Sequence, residues 1–253
     1  MSGKPFPQMI KTKLLLGLLA AMAIAPLANA AIIYGTGQGG SPNSRDSNWK
    51  IVAVPGSFTP PDSQSTPYDS YIIPSAPGVF IGGGNPQNGV TFNSITNYWI
   101  APHNTDASLI GGNYNWIVAQ EFNVDSAGIY TFNFQGAGDN ELDFYINGSI
   151  TNYLGDSNRP TITGGTQIGT RAGGFGYLTT FTGNAFMNAG TNTAYMVLWD
   201  YGGSTGALIQ QSTFASAVPE PGQVAASLLL LSGIGAYVWV KRRKAASHTV
   251  VAG

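Results

Sequence analysis

The side chains best suited to chemistry in this 253-residue chain crowd into one hexapeptide, Gly-Asp-Asn-Glu-Leu-Asp at 138–143. Asp139, Asn140 and Asp143 bring carboxylate and amide oxygens, the hard ligands that calcium takes, although their spacing is not that of the twelve-residue calcium loop. The same Asp-Asn pair also suits a purely structural role, with side-chain oxygens capping the backbone of a turn. A glycoside hydrolase would need two carboxylates facing each other about 5 to 10 Å apart. Glu121, Glu141 and several aspartates supply the groups, but no acid–base signature goes with them. Of the two histidines, His248 follows the C-terminal cationic block, so a Ser-His-Asp triad would have to use His103. No G-x-S-x-G pattern accompanies it, and His103, next to Pro102, reads as a loop residue. Cysteine is absent, which removes thiol nucleophiles, disulfides and zinc–thiolate sites. The expectation is a protein without catalytic residues or an obligatory cofactor, with calcium at Asp139, Asn140 and Asp143 as the one metal worth testing.

Aromatic rings beside polar side chains offer a second chemistry, because an apolar ring face can receive the C–H face of a sugar. Trp99, Tyr114 and Trp116 lie near Asn, Asp and His residues, and Tyr153 follows an Asn-rich strand end. Trp99 and Tyr153 are expected to be exposed glycan-binding rings, whereas Trp116 and Trp199 are expected in the core. Between Ala31 and Ala217 the cations Arg45, Lys50, Arg159 and Arg171 stand against eleven acids, a net charge of −7. So few cations argue against nucleic acid as a partner.

Residues 31–217 must position these groups, and their texture is that of an all-β domain. Short β-like runs separated by Gly and Asn, with no helical periodicity, predict a single β-sandwich. In Gly128 to Gly136, Tyr130, Phe132 and Phe134 alternate with Ile129, Thr131 and Asn133, the pattern of a half-buried strand. In Glu141 to Gly148, Leu142, Phe144 and Ile146 oppose Asp143, Tyr145 and Asn147, and Asn147-Gly148 supplies the turn that follows. A hairpin joining these two strands around Gly136 to Asn140 is expected. Thr193 to Asp200 is apolar on both sides, as in a central strand. Gly35 to Pro77 is rich in Ser, Pro, Asn and Asp and reads as loops decorating the sheet edge, apart from Trp49 to Val54.

The two ends read differently. Lys4, Lys11 and Lys13 precede an apolar run from Leu14 to Ala25, and small residues follow at Ala28 and Ala30. This is the order of a secretory signal peptide over 1–30, cut by signal peptidase after Ala30. At the other end, Val218-Pro219-Glu220-Pro221 leads into 17 residues without a formal charge, Val224 to Val240, and then Lys241, Arg242, Arg243 and Lys244. As a helix the uncharged run would be roughly 25 Å long, at the short end of what spans a bilayer core. The four cations would hold its end on the cytoplasmic side, leaving residues 31–217 facing outward. The prolines keep Val218 to Pro221 extended, a form that a protease-like site can hold.

This tripartite tail over 218–253 resembles the PEP-CTERM sorting signal of Gram-negative bacteria that make extracellular polysaccharide. The resemblance implies recognition by an exosortase, a membrane-embedded cysteine transpeptidase that cleaves near the Pro-Glu-Pro. A second, looser resemblance runs through Tyr98 to Pro102, Glu121 to Gly148 and Ala189 to Leu208, which look like the jelly-roll module of many PEP-CTERM proteins. That module is similar to galactose-binding-like and carbohydrate-binding sandwiches. Together the resemblances imply a jelly-roll-type β-sandwich between a signal-peptide helix and a single transmembrane helix. They also imply a surface or matrix protein, non-catalytic, associated with extracellular polysaccharide. The competing expectations are a polysaccharide hydrolase and a purely structural or adhesive protein.

Overall fold

A computed structural model describes residues 31–55, 64–73, 90–92, 94–103, 115–151, 161–169, 171–173, 177–201, 205–214 and 229–241. The chain divides into two units, Asn29–Val218 and a second made of Met1–Ala28 with Pro219–Gly253. The expected signal peptide, the Val218 to Pro221 motif, Arg242 to Lys244 and Tyr153 lie outside the described residues.

The first unit is built from strands. In chain order they are Ala31–Ile33 (β1), Arg45–Ala53 (β2), Tyr68–Ile72 (β3), Val90–Phe92 (β4), Ile95–Asn97 (β5) and Ile100–Ala101 (β6). Asn115–Val124 (β7), Gly128–Asp139 (β8), Glu141–Ile146 (β9), Ser149–Thr151 (β10), Thr161–Thr163 (β11) and Thr166–Gln167 (β12) follow. The last are Ala172–Gly173 (β13), Thr179–Met187 (β14), Gly190–Trp199 (β15), Gly206–Ile209 (β16) and Ser212–Phe214 (β17). One 11-stranded sheet carries the order β12-β9-β15-β7-β2-β3-β6-β16-β8-β14, with β13 also on β9.

The sheet folds over so that its two ends face each other, giving a sandwich, and aromatic side chains fill the gap. Phe134 of β8 stacks on Phe181 of β14 at 5.2 Å and meets Phe144 of β9 edge-on at 4.7 Å. The β1–β17 pair brings Phe214 to 4.7 Å from Phe132 and 5.5 Å from Phe122. Each such ring, fully buried, contributes about 2–3 kcal/mol of transfer free energy, and without disulfides the fold depends on them. The alternation expected in β8 is present: Tyr130, Phe132 and Phe134 are buried, while Ile129, Thr131 and Asn133 are exposed. β15 is central as expected, flanked by β7 and β9.

Two expectations are overturned. β8 and β9 do not form a hairpin: β8 pairs with β14 and β16, β9 with β12, β13 and β15. The chain crosses from one layer to the other at Asn140. The layers touch so closely there that a Cβ on Gly138 would lie 2.6 Å from Leu142 Cβ and 3.1 Å from Leu198 Cδ1. Glycine permits the crossing. Second, Gly35 to Pro77 is not all edge decoration. Outside the exempted Trp49 to Val54, β2 already begins at Arg45, and β3 lies between β2 and β6 in the main sheet with Tyr68, Tyr71 and Ile72 buried. The polar texture misleads because β2 also carries Arg45, Asp46 and Lys50.

In the second unit, residues 229–241 form a helix (α1). It covers the greater part of the expected 224–240 span and is described as far as Lys241, whose ammonium lies over the Tyr237 ring at 5.9 Å. Among the described residues no helix is long and apolar enough to cross a membrane.

Candidate functional site

Residues directly opposite in an antiparallel pair project to the same face. The register sets Trp199 opposite Glu141 and Asn115, Val197 opposite Asp143 and Ile117, and Tyr195 opposite Tyr145 and Ala119. These side chains therefore share the outer face of the β9-β15-β7 layer, since Leu142, Phe144, Met196 and Leu198 fill the interior. The middle of that face is apolar, where Val197, Ile117, Tyr145 and Tyr195 cluster with Ile150 and Ile162 of the β10–β11 hairpin. Asn147 and Gly148 turn the chain out of β9 into this hairpin, both with positive φ, 59° and 96°. A Cβ on Gly148 would meet the backbone N of Gly165 at 2.5 Å, so the turn requires glycine. Asn147 fastens it to β15: its Nδ2 donates to Asn192 Oδ1 at 2.9 Å and its Oδ1 accepts from Thr193 N at 3.0 Å.

At the open end of the face the apolar strip gives way to rings and charges. The ring of Trp199, half-buried, lies 5.8 Å from that of Tyr201 at 51°. Tyr201 is 54% exposed. Its hydroxyl donates to Glu141 Oε1 at 3.1 Å, and Glu141 Oε2 pairs with Arg171 Nη1 at 3.2 Å. Arg171 then grips Asp143 with two nitrogens: Nε donates to Oδ1 at 3.1 Å and Nη2 to Oδ2 at 3.0 Å. Gln167 Nε2 donates to the same Oδ1 at 3.1 Å. The short strands β12 and β13, docked on β9, bring Gln167 and Arg171 here. Burial raises the Asp143 carboxyl above its ordinary value, and the Arg171 charge and hydrogen bonds oppose the rise.

The arrangement is an exposed ring with a half-buried ring beside it, bordered by a carboxylate and a guanidinium. Such a surface can receive the apolar face of a pyranose on the rings while charged groups accept and donate hydrogen bonds to its hydroxyls. Glu141 and Asp143 lie two residues apart on one strand and share Arg171, a different arrangement from two carboxylates facing each other across a cleft.

The candidates named from sequence fare unevenly. Trp99, expected to be exposed, is 1% exposed. It lies between β5 and β6 and packs with Ile73, Val90, Ala101, Ala137 and Leu208, so its faces are not open to a sugar. Trp116 is fully buried, as expected. Trp199, expected in the core, is only half-buried because it sits on the outer face near the end of β15. Asp139, Asn140 and Asp143 are not brought together as one calcium site. Arg171 claims Asp143, Asn140 Oδ1 accepts from Tyr201 N at 2.6 Å, and Asp139 is buried at the end of β8. Among the described residues no three acidic or histidine side chains converge on a metal position. Asn140 Oδ1 thus holds the backbone at Tyr201, 61 residues away, rather than capping its own turn. His103 stacks on Tyr71 at 6.4 Å.

Sequence reasoning missed Tyr201 and Arg171. A signal existed for each: Trp-Asp-Tyr at 199–201 places two rings beside an acid, and Arg171 is one of only four cations in residues 31–217.

The class that fold and face define is a β-sandwich domain with an open aromatic and charged edge. The chain matches no known protein-family model and no curated protein. Among solved structures it is similar to a Podospora anserina GH26-CBM35 β-(1,4)-mannanase, at 13% identity over 67% of this chain and with a TM-score of 0.31. It covers 28% of that enzyme's length. It is also similar to TmCBM61 in complex with β-1,4-galactotriose, at 12% identity, 67% of this chain, 90% of that one and a TM-score of 0.33. CBM35 from Cellvibrio japonicus Abf62 matches at 13% identity, 57% of this chain, 94% of that one and a TM-score of 0.27.

Proposed function

We propose that residues 31–217 form a non-catalytic glycan-binding domain displayed outside the cell and associated with extracellular polysaccharide. The observation that carries the reading is the Trp199–Tyr201 ring pair bordered by Glu141 and Arg171. The sugar ring packs on Tyr201, and its hydroxyls bond to Glu141 and Arg171. Affinity electrophoresis of the full chain through gels loaded with different neutral and acidic polysaccharides tests this. At least one glycan should retard the protein, and Tyr201→Ala should abolish the retardation while leaving the melting temperature intact. Retardation unchanged in Tyr201→Ala and Trp199→Ala sinks the reading.

Delivery follows the tail. An N-terminal signal peptide starts export, and residues 224–240 hold the precursor in the inner membrane with Lys241 to Lys244 inside. An exosortase-type enzyme then processes it near Pro219-Glu220-Pro221. The sequence order of motif, uncharged run and cations supports this, as does the helical conformation of residues 229–241. Intact mass in membrane and extracellular fractions checks it, beside a variant with Pro219, Glu220 and Pro221 all replaced by alanine. The wild type should lose its tail near Val218 and the variant should keep it. An uncut tail in both makes the Pro-Glu-Pro a plain linker.

A further inference from the structure

The two ends of the main sheet are finished differently. At one end β12 and β13 are two residues each, both on β9, and edges this short give another chain little to pair with. At the other end stands β14, nine residues long, paired along its whole length with β8 and, among the described residues, with nothing on its far side. Its sequence, Thr-Thr-Phe-Thr-Gly-Asn-Ala-Phe-Met, carries no charge and no proline. Those are the devices that ordinarily keep an edge strand from adding a neighbour.

The outer face beside this edge is equally bare of charge. Thr180, Thr182, Asn184 and Phe186 stand opposite Gln135, Asn133, Thr131 and Ile129, and all but the half-buried Gln135 are exposed. In a domain whose net charge is −7, a second copy can approach here without meeting like charge at contact. Ile168 and Gly169 approach β14 from its inner side, where a Cβ on Gly183 would lie 3.4 Å from Gly169 N, which leaves the outer side clear.

The strand is also its own complement. Gly183 stands at its centre, so antiparallel pairing of two copies about Gly183 sets Thr182 of one opposite Asn184 of the other, and Thr180 opposite Phe186. On the inner face Phe181 meets Ala185, so large side chains fall opposite small ones. A Thr–Asn pair of this kind already exists within the sheet, where Thr131 Oγ1 donates to Asn184 Oδ1 at 2.8 Å. That bond leaves the Asn184 amide nitrogen to a second threonine.

We infer that two copies of this chain pair antiparallel through β14, continuing the sheet of one domain into that of the other. The contact is isologous, so it closes at two copies. Nine paired residues make a strip roughly 30 Å long, a small contact beside stable interfaces, so the dimer is concentration-dependent.

The test uses the full chain in mild detergent. Because the chain has no cysteine, introduced thiols are the only ones present. Thr182→Cys and Asn184→Cys chains, mixed and oxidised, should give a disulfide dimer joining one of each, since directly opposite Cβ atoms lie about 4.5–5.5 Å apart. Thr182→Cys mixed with Asn133→Cys, one strand in from the edge, should give about fivefold less or lower still. Without oxidant, sedimentation of the wild type should show a monomer–dimer equilibrium. Thr182→Lys, which puts a charge on the edge, should raise its midpoint concentration about tenfold or more with no change in melting temperature. The helix α1 is the same in both chains, so an association that Thr182→Lys leaves unchanged overturns the pairing. Crosslinking no faster than in the Asn133→Cys control does so too. A wild type that stays monomeric also overturns it, and leaves the edge to a foreign strand. Neither Thr182 nor Asn184 belongs to the aromatic edge, so glycan retardation is read separately and failure of one proposal leaves the other standing.

Discussion

Two pairs of acids meet at the β8–β9 crossing and are handled in opposite ways. On the outer face, Glu141 and Asp143 share Arg171 and a glutamine amide, and the whole group borders an exposed tyrosine. Below it, Asp139 sits beside Asp200 with one oxygen lacking a donor. The difference is one of supply. Arg171 is delivered to the outer pair by the short strands docked on β9, and its side chain remains 38% exposed there. An acid pair completed by a fixed cation is a constant part of the surface; a buried carboxylate oxygen without a donor, as in Asp139, makes the charge of that group depend on pH.

The largest expected effect comes from making the outer pair resemble the inner one. Arg171→Met leaves Asp143, 4% exposed at its side chain, without its cation. Breaking a fully buried pair typically costs 3–5 kcal/mol, and the water open to Arg171 reduces that here to about 2 kcal/mol. Urea unfolding at pH 7 should show the loss, and at pH 3, with Asp143 protonated, the variant and wild type should differ little. A loss equally large at pH 3 would mean that Arg171 acts by packing alone.

The next effect concerns Gly138, the residue that allows the crossing on which both pairs depend. Gly138→Ala must push Leu142 or Leu198 aside, and overpacking of this kind costs about 1–3 kcal/mol. Thermal melting checks it. An unchanged melting temperature would show that the two layers can separate there without penalty.

These contrasts explain what could be read from the sequence. The alternation in Tyr130, Phe132 and Phe134 was legible because strand periodicity is local. The partner of that strand was not, because Gly138 is needed only against Leu142 and Leu198 across the layer, and glycine near a strand end equally suggests a turn. Trp99 was misjudged for a similar reason: Asn97 and His103 lie near it in sequence, but its neighbours in space are Val90, Ala137 and Leu208. The acids of the hexapeptide at 138–143 can be listed from the sequence. The partners that Glu141 and Asp143 meet were hidden, because Arg171 and Gln167 come from distant segments.

The smallest effect is a slope with pH, and it sharpens the comparison most. With cations removed by EDTA, Asp139 binds its proton more tightly in the folded protein, up to about 7, than in an unfolded chain, where an aspartate titrates near 3.9. Between those values the folded state holds more protons than the unfolded state, so stability falls as pH rises across the window and levels off above it. Asp143 and Asp46, also raised by burial, add trends of the same sign. Melting temperatures from pH 4 to pH 8 in EDTA should therefore decline in the wild type and decline less in Asp139→Asn. A decline identical in the variant would place the titrating group elsewhere, and the contrast between the two acid pairs would then be one of burial alone.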